Sequence, residues 1–577
     1  MKHVLQAPLH APEGGASTRL RRRLTLVALA LATAACTTLP TAPLVRDEGG
    51  CHDWTARLDA AVAAAGVGDA EAEAVAGFPG LRVDRVAAAL REPAAASETA
   101  FTAWLDRAAA LDRAARAAEI ANLPDSVFPL GLAADRAQAM ARTDACRASV
   151  QRQLREPATA VTRGVAPGVV PVASSGVPPM APPVASIASD ATSRPATPAT
   201  ALQRTLLDRA TVPERYSTAS RALGLYPLLR WPFFAGVEGW QREQQADMAR
   251  WASVPPPLLA MTPPSFAPVS GGEPGPQATP APAPPPWPVA PDALGMPQPT
   301  PDEAQRLLAW HAPIFELEVR GAFDRFGVPQ WAGTAADARP QVDTQRPVVY
   351  RRIAHMRLQG RWRLQLVYTV WFPERPPRSG LDLLAGALDG VIVRLTLGDD
   401  GQPVLMDTIH ACGCYHMFFP APALRARAGA PTNEEWMFAP AALPALSPSQ
   451  RLVVRIASSS HYVNGVGTAP RQAVAGAAPG DTARYELQDE HALRSLPLPG
   501  ATPAGRRSLY GPDGLVAGTE RGERFLFWPM GIASAGAMRQ WGHHATAFVG
   551  RRHFDDPDLL EQRFEGARAP GGPAPAP

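Results

Sequence analysis

Two stretches dense in proline and poor in charge, 158–200 and 253–300, cut this chain into pieces and limit what each piece can become. Proline fixes φ and lacks an amide donor, so runs of it do not propagate a helix or a sheet interior. The first block, mixed with Ala, Ser, Thr and Val, reads as a flexible linker, and the second as an extended proline-rich linker. Three segments remain that can fold: 51–157, 201–252 and 301–565. A tether, 36–50, precedes them and a tail, 566–577, follows.

Segment 51–157 reads as helical. Trp54, Leu58 and Val62 recur at four-residue spacing, and Phe101, Trp104, Leu105, Ala108 and Leu111 form a longer stripe broken by charged residues. Phe78-Pro-Gly, Glu92-Pro and Leu123-Pro mark helix ends. A small antiparallel helical bundle is the economical reading. Segment 201–252 is helical and aromatic, and its apolar surface predicts packing against the C-terminal domain. From residue 301 the period changes. Trp362, Leu364, Leu366, Tyr368, Val370 and Phe372 alternate along one strand face. Gln359-Gly360 and Gly398-Asp-Asp-Gly-Gln402 read as hairpin turns. Strands are also predicted at 451–458, 483–487 and 524–528, and a helix at 556–564. The fold class is α+β: a helical bundle, proline-rich linkers, and a mainly antiparallel β domain.

The N-terminus carries an address. Arg19-Leu-Arg-Arg-Arg23 precedes the apolar run Leu24–Ala35, which is too short to span a bilayer and ends in small residues before Cys36. This layout resembles the signal of a bacterial lipoprotein, departing from it at Thr33. The resemblance implies that residues 1–35 are a signal peptide, that Cys36 is the lipid attachment site, and that the chain is held to a membrane by acyl chains. Thr37 after the cysteine is similar to lipoproteins sent to the outer membrane, facing the periplasm. Loss of residues 1–35 removes five basic groups and one acid, moving the balance from +3 to −1. So neutral a chain argues against nucleic acid as a partner. Other envelope components remain candidate partners.

Four further cysteines, Cys51, Cys146, Cys412 and Cys414, permit three pairings in an oxidising compartment. Cys51 at the start of the first helix and Cys146 in the last favour a bridge between them. Cys412 and Cys414 belong to the one segment with concentrated chemistry, Asp407-Thr-Ile-His410-Ala-Cys412-Gly-Cys414-Tyr-His416-Met-Phe-Phe-Pro420. His410, Cys412, Cys414 and His416 alternate at two-residue spacing. In a straight strand the two histidines would lie roughly 20 Å apart, so one metal can take all four only if the chain folds back at Gly413. Three readings stand open. One is a Cys412–Cys414 disulfide. Another is a zinc or copper site, with help from His543, His544 or His553 and with Asp555 or Asp556 orienting a ring. The third is a structural strand end.

The same string, with Gly536-Ala-Met-Arg-Gln-Trp-Gly-His-His544 downstream, resembles the signature of an uncharacterised envelope protein family; that likeness implies no particular activity. No nucleophile elbow, P-loop, dinucleotide fingerprint or H-E-x-x-H is present, and no catalytic residue is assigned. Ser458-Ser-Ser-His461 and the carboxylates Glu374, Asp382, Asp389 and Asp407 are weaker candidates. Two functions are expected from the sequence: an envelope binding or structural module, or a metal-dependent protein or hydrolase built on the Cys/His cluster.

Overall fold

The computed structural model describes residues 42–128, 132–156, 200–264, 285–380, 382–427, 434–471, 482–500 and 505–566. Residues 1–35, Cys36, most of the 158–200 stretch and nearly all of the C-terminal tail lie outside the described residues. Helices and strands are mixed, and the sheets of the C-terminal region are mostly antiparallel.

Three long helices dominate the N-terminal region: α1 (Cys51–Ala65), α2 (Glu98–Asn122) and α3 (Arg136–Arg155). Ser97 starts α2 by accepting the Ala100 amide at 3.1 Å, satisfying one orphan donor of the first turn. Trp54, Leu58 and Val62 are the buried stripe of α1. Cys51 and Cys146 are bonded, tying the start of α1 to α3. Phe78-Pro-Gly, read as a helix end, is instead the turn of a ribbon pairing Glu73–Ala74 with Arg82–Val83. The inner face of α2 is partly ionic. Its Asp112 meets Arg147 at 2.8 Å and its Glu119 meets Arg82 at 2.7 Å.

Segment 201–252 divides its allegiance. Helix α4 (Ala201–Arg209) buries Leu206 and Leu207 in the N-terminal core, whereas α5 (Tyr226–Ser253) lies on the β domain, where Trp240 packs on Tyr415 and Phe438.

The β domain stacks two sheets. Their strands are β1 (Leu259–Thr262), β2 (Ile314–Leu317), β3 (Val348–Leu358), β4 (Arg361–Arg375), β5 (Gly386–Leu397), β6 (Pro403–His410), β7 (Met417–Pro420), β8 (Gln450–Ile456), β9 (Val463–Pro470), β10 (Thr482–Arg484) and β11 (Glu486–Asp489). One sheet runs β7-β6-β5-β4-β3-β11, antiparallel except for its last pair; the other runs β9-β8-β2-β1-β10. Gln359 and Gly360 both take positive φ in the β3–β4 turn, the geometry a tight two-residue hairpin needs. Leu364, Leu366, Tyr368, Val370 and Phe372 face the second sheet and form the main core with Phe315, Val454 and Ile456. The opposite face of β4 is buried as well: Gln365, Val367, Thr369 and Trp371 are all shielded. The sequence alternates because side chains alternate, yet along 364–372 neither face meets solvent.

Two expectations require correction. The 253–300 stretch is not simply a linker, because Leu259–Thr262 is an interior strand of the second sheet and Val289 and Met296 are buried. Its prolines flank this short apolar run rather than interrupt it. Residues 524–528 are not a strand either. Arg524–Phe527 is a helical turn leading into Trp528–Met530, and Phe525, Leu526 and Trp528 are exposed. Pro529 removes a donor that a ladder would need.

Candidate functional site

The Asp407–Pro420 segment folds back on itself. β6 and β7 pair antiparallel with Thr408 opposite Met417. The His410 amide donates to the Cys414 carbonyl at 3.0 Å, and the Gly413 amide donates to the His410 carbonyl at 2.7 Å. Gly413 sits at φ +90°, and a Cβ there would lie 3.0 Å from the Ala545 carbonyl oxygen. Glycine is required on both counts.

The fold-back does not gather the four side chains on one centre. His410 Nδ1 lies 3.3 Å from Asp389 Oδ1, while His416 Nε2 lies 2.8 Å from Asp407 Oδ2. Cys412 and Cys414 are buried thiols beside one another, not bonded. Of the distal histidines, His543 contacts the Ala70 carbonyl at 2.7 Å and His553 contacts Glu214 at 2.7 Å. His544 alone reaches the turn, 3.2 Å from the Ala411 carbonyl. Among the described residues, no group of three or more His, Cys, Asp and Glu side chains could hold a metal ion. Each imidazole is already turned toward a carboxylate or carbonyl of its own.

Two polar clusters result. In the first, Asp407 takes Arg394 on both oxygens and His416 on one, all without exposure to solvent. Burial pushes the His416 imidazole down to about 3, so it is neutral and donates from Nε2 to Asp407. Its Nδ1 has no hydrogen-bond partner among the described residues. In the second, Asp389 stands between His461 Nδ1 at 2.9 Å and His410, with Arg521 at 3.5 Å. Burial alone would raise the Asp389 carboxyl; the facing His410 and Arg521 hold it well below the usual carboxylate range. His410 Nε2 also lacks a hydrogen-bond partner among the described residues and lies against the rings of Tyr415 and Tyr462. Ser458, the other serine-histidine candidate, donates to Asp324 at 2.8 Å, which leaves it in a structural role.

A cavity of about 580 Å3 lies between α5 and the β domain; His416 lines it, and His410 sits behind its Tyr415 and Tyr462 rings. Trp240, Tyr415, Tyr462 and Phe438 form its aromatic wall. Tyr415 holds a left-handed backbone, φ 63°, which turns its ring inward and is uncommon for a bulky residue. Arg375, the last residue of β4, enters the cavity only 5 % exposed. It donates to the Tyr462 hydroxyl at 3.2 Å, and its guanidinium carbon lies 5.3 Å and 5.7 Å from the Tyr462 and Tyr415 rings. No carboxylate lies within ion-pair distance of it among the described residues. Across the cavity, burial lifts the Glu523 carboxyl to about 7.

Sequence reasoning singled out His410, His416, Asp389 and Asp407, and the structure joins them in pairs. Arg375, Trp240, Tyr462 and Glu523 were missed as site residues. The one available signal was the uncovered aromatic surface of 201–252, which had to pack somewhere. No protein-family model matches this chain, and no curated protein or solved structure proves similar to it.

Proposed function

We propose that this chain is an envelope lipoprotein, anchored through Cys36 and facing the periplasm, whose β domain binds an anionic organic molecule in the cavity over Arg375. The N-terminal helices would act as a bundle between anchor and binding domain. The observation carrying the reading is the buried Arg375 guanidinium, with no carboxylate within ion-pair distance among the described residues. A buried charge is costly unless it is paired, and an arginine fork is suited to a carboxylate or phosphate. The cavity size lies within the range of small-molecule sites, which are mostly apolar with a few placed polar groups. The aromatic wall favours a ligand with a flat or apolar body. Envelope components that carry such groups are the expected partners.

The test compares 2-naphthoate with its neutral counterpart, 2-naphthalenemethanol, by titration calorimetry. The protein is expected to prefer the anion by on the order of tenfold or more. Arg375→Met should abolish that preference while leaving near-UV circular dichroism unchanged. An unaltered preference in the folded variant would overturn the reading.

A further inference from the structure

Large exposed apolar side chains are concentrated on one side of this protein. They come from two segments: Leu223, Leu225, Leu228 and Trp231 around the start of α5, and Phe525 and Leu526 in the short helical turn, with Trp528 beside them. Leu223 is 79 % exposed and Phe525 68 %. The two segments are fastened together. Phe233 packs on Phe527 with ring centroids 5.1 Å apart, and Arg221 donates to the Met530 carbonyl at 2.8 Å and the Gly550 carbonyl at 2.6 Å. Exposure on this scale is therefore a property of a fixed platform and not of a frayed end. A contiguous apolar patch of this kind marks an interaction surface.

Charge says what kind. Between Glu214 and Glu238 the sequence holds Arg215, Arg221 and Arg230 and no carboxylate; between Glu523 and Asp555 there is again none, and Arg524 stands beside the exposed turn. The guanidiniums of Arg230 and Arg524 lie over the neighbouring rings of Trp231 and Phe525, at 5.3 Å and 4.8 Å. Among the described residues no carboxylate lies within ion-pair distance of Arg221, Arg230 or Arg524. Leucine and phenylalanine between tryptophans, with unpaired arginines at the edge, is the composition that settles at a bilayer interface. An apolar protein partner would not call for unpaired arginines laid over the exposed rings, whereas anionic headgroups complement them.

We propose that this face docks on a lipid bilayer carrying anionic headgroups, with Trp231, Phe525, Leu526 and Trp528 entering the interface and Arg230 and Arg524 at headgroup level. The docking goes beyond the ligand site and does not depend on it, although Phe233 and Phe527 also line the cavity.

The test uses residues 37–577, which keep every described residue and exclude the leader and its cysteine. Co-sedimentation is measured with vesicles of phosphatidylethanolamine and phosphatidylglycerol, and with vesicles of phosphatidylcholine alone. Binding to the anionic vesicles is expected, weakening as salt rises. The triple variant Trp231→Ser, Phe525→Ser, Leu526→Ser should bind about tenfold more weakly or less. Because all three side chains are exposed, near-UV circular dichroism should be retained. The pair Arg230→Gln, Arg524→Gln should lower affinity for the anionic vesicles about tenfold and leave binding to phosphatidylcholine unchanged. Absence of vesicle binding, or binding indifferent to both variants, overturns the proposal. So does a wild-type dimer that the triple variant returns to monomer, since a second copy would then cover the face.

Discussion

Arg394 and Asp407 occupy directly paired positions on neighbouring strands and close a two-armed ion pair, Nε to Oδ1 at 2.9 Å and Nη2 to Oδ2 at 2.6 Å. Neither is exposed. Asp407→Asn would leave the guanidinium buried without its counter-charge and weaken the acceptor of His416. We expect a loss of about 3–5 kcal/mol in unfolding free energy by urea denaturation. The double change Arg394→Met, Asp407→Leu should recover much of it, because removing both charges also removes their desolvation cost. A double variant as unstable as the single one would show that the pair holds the strands together by more than mutual compensation.

Glu523 makes stability run against pH. Burial raises its carboxyl from an ordinary value near 4.5 to about 7. Its contribution is therefore fully present below pH 4.5 and is lost as pH rises to 7. Glu523→Gln should match the wild type near pH 4 and exceed it near pH 8, by on the order of 3 kcal/mol. Equal denaturation midpoints at pH 8 would refute this. The same ionisation adds an anion to the cavity wall across from Arg375, so naphthoate affinity should fall in the wild type above pH 7 and stay level in the variant.

Four buried histidines act in the opposite direction. Burial depresses His311, His416 and His544 to about 3 and His355 to about 4. Unfolded imidazoles take up protons near pH 6.5. The stability these groups contribute is present above pH 6.5 and is lost as pH falls toward 4, by on the order of 1 kcal/mol per histidine per pH unit. The urea midpoint should drop clearly between pH 7 and pH 5. A flat profile across that interval would mean the rings are solvated.

The cysteines divide into a bonded pair and a thiol pair. Thiol titration of the unreduced, unfolded chain from residue 37 should count two groups, from Cys412 and Cys414. Finding none would mean these two are bridged in the purified protein. Cys51→Ala with Cys146→Ala should cost about 2–5 kcal/mol, because the bridge closes a loop across most of the N-terminal helices.

How much of this could be read in advance follows from how local each signal is. Gln359-Gly360 and the alternation of 362–372 are settled by neighbours in the chain, and both survive in the structure. The pairing of His410 with Asp389 needed the β5–β6 register, but its participants were recognisable by type. Arg375, Trp240 and Glu523 carried no such mark. They come from a strand end, a helix and a loop far apart in sequence, and only the packing of α5 on the sheet makes them neighbours. The burial of both faces of β4 was equally hidden, since nothing in the polar types Gln365 and Thr369 marks them as buried until Thr396 is found beside Gln365. Leu259–Thr262 went unrecognised because composition averages over its flanking prolines.

That short strand has a consequence for biogenesis. Leu259–Thr262 pairs on one side with Ile314–Leu317 and on the other with Thr482–Arg484. During synthesis from the N-terminus, its second edge has no partner until residue 484 has emerged. The sheet is therefore sealed late, and the segment must be kept from pairing with other chains through that interval. A product cut short anywhere before Thr482 would carry an open edge and should be found in aggregates or in the grip of chaperones.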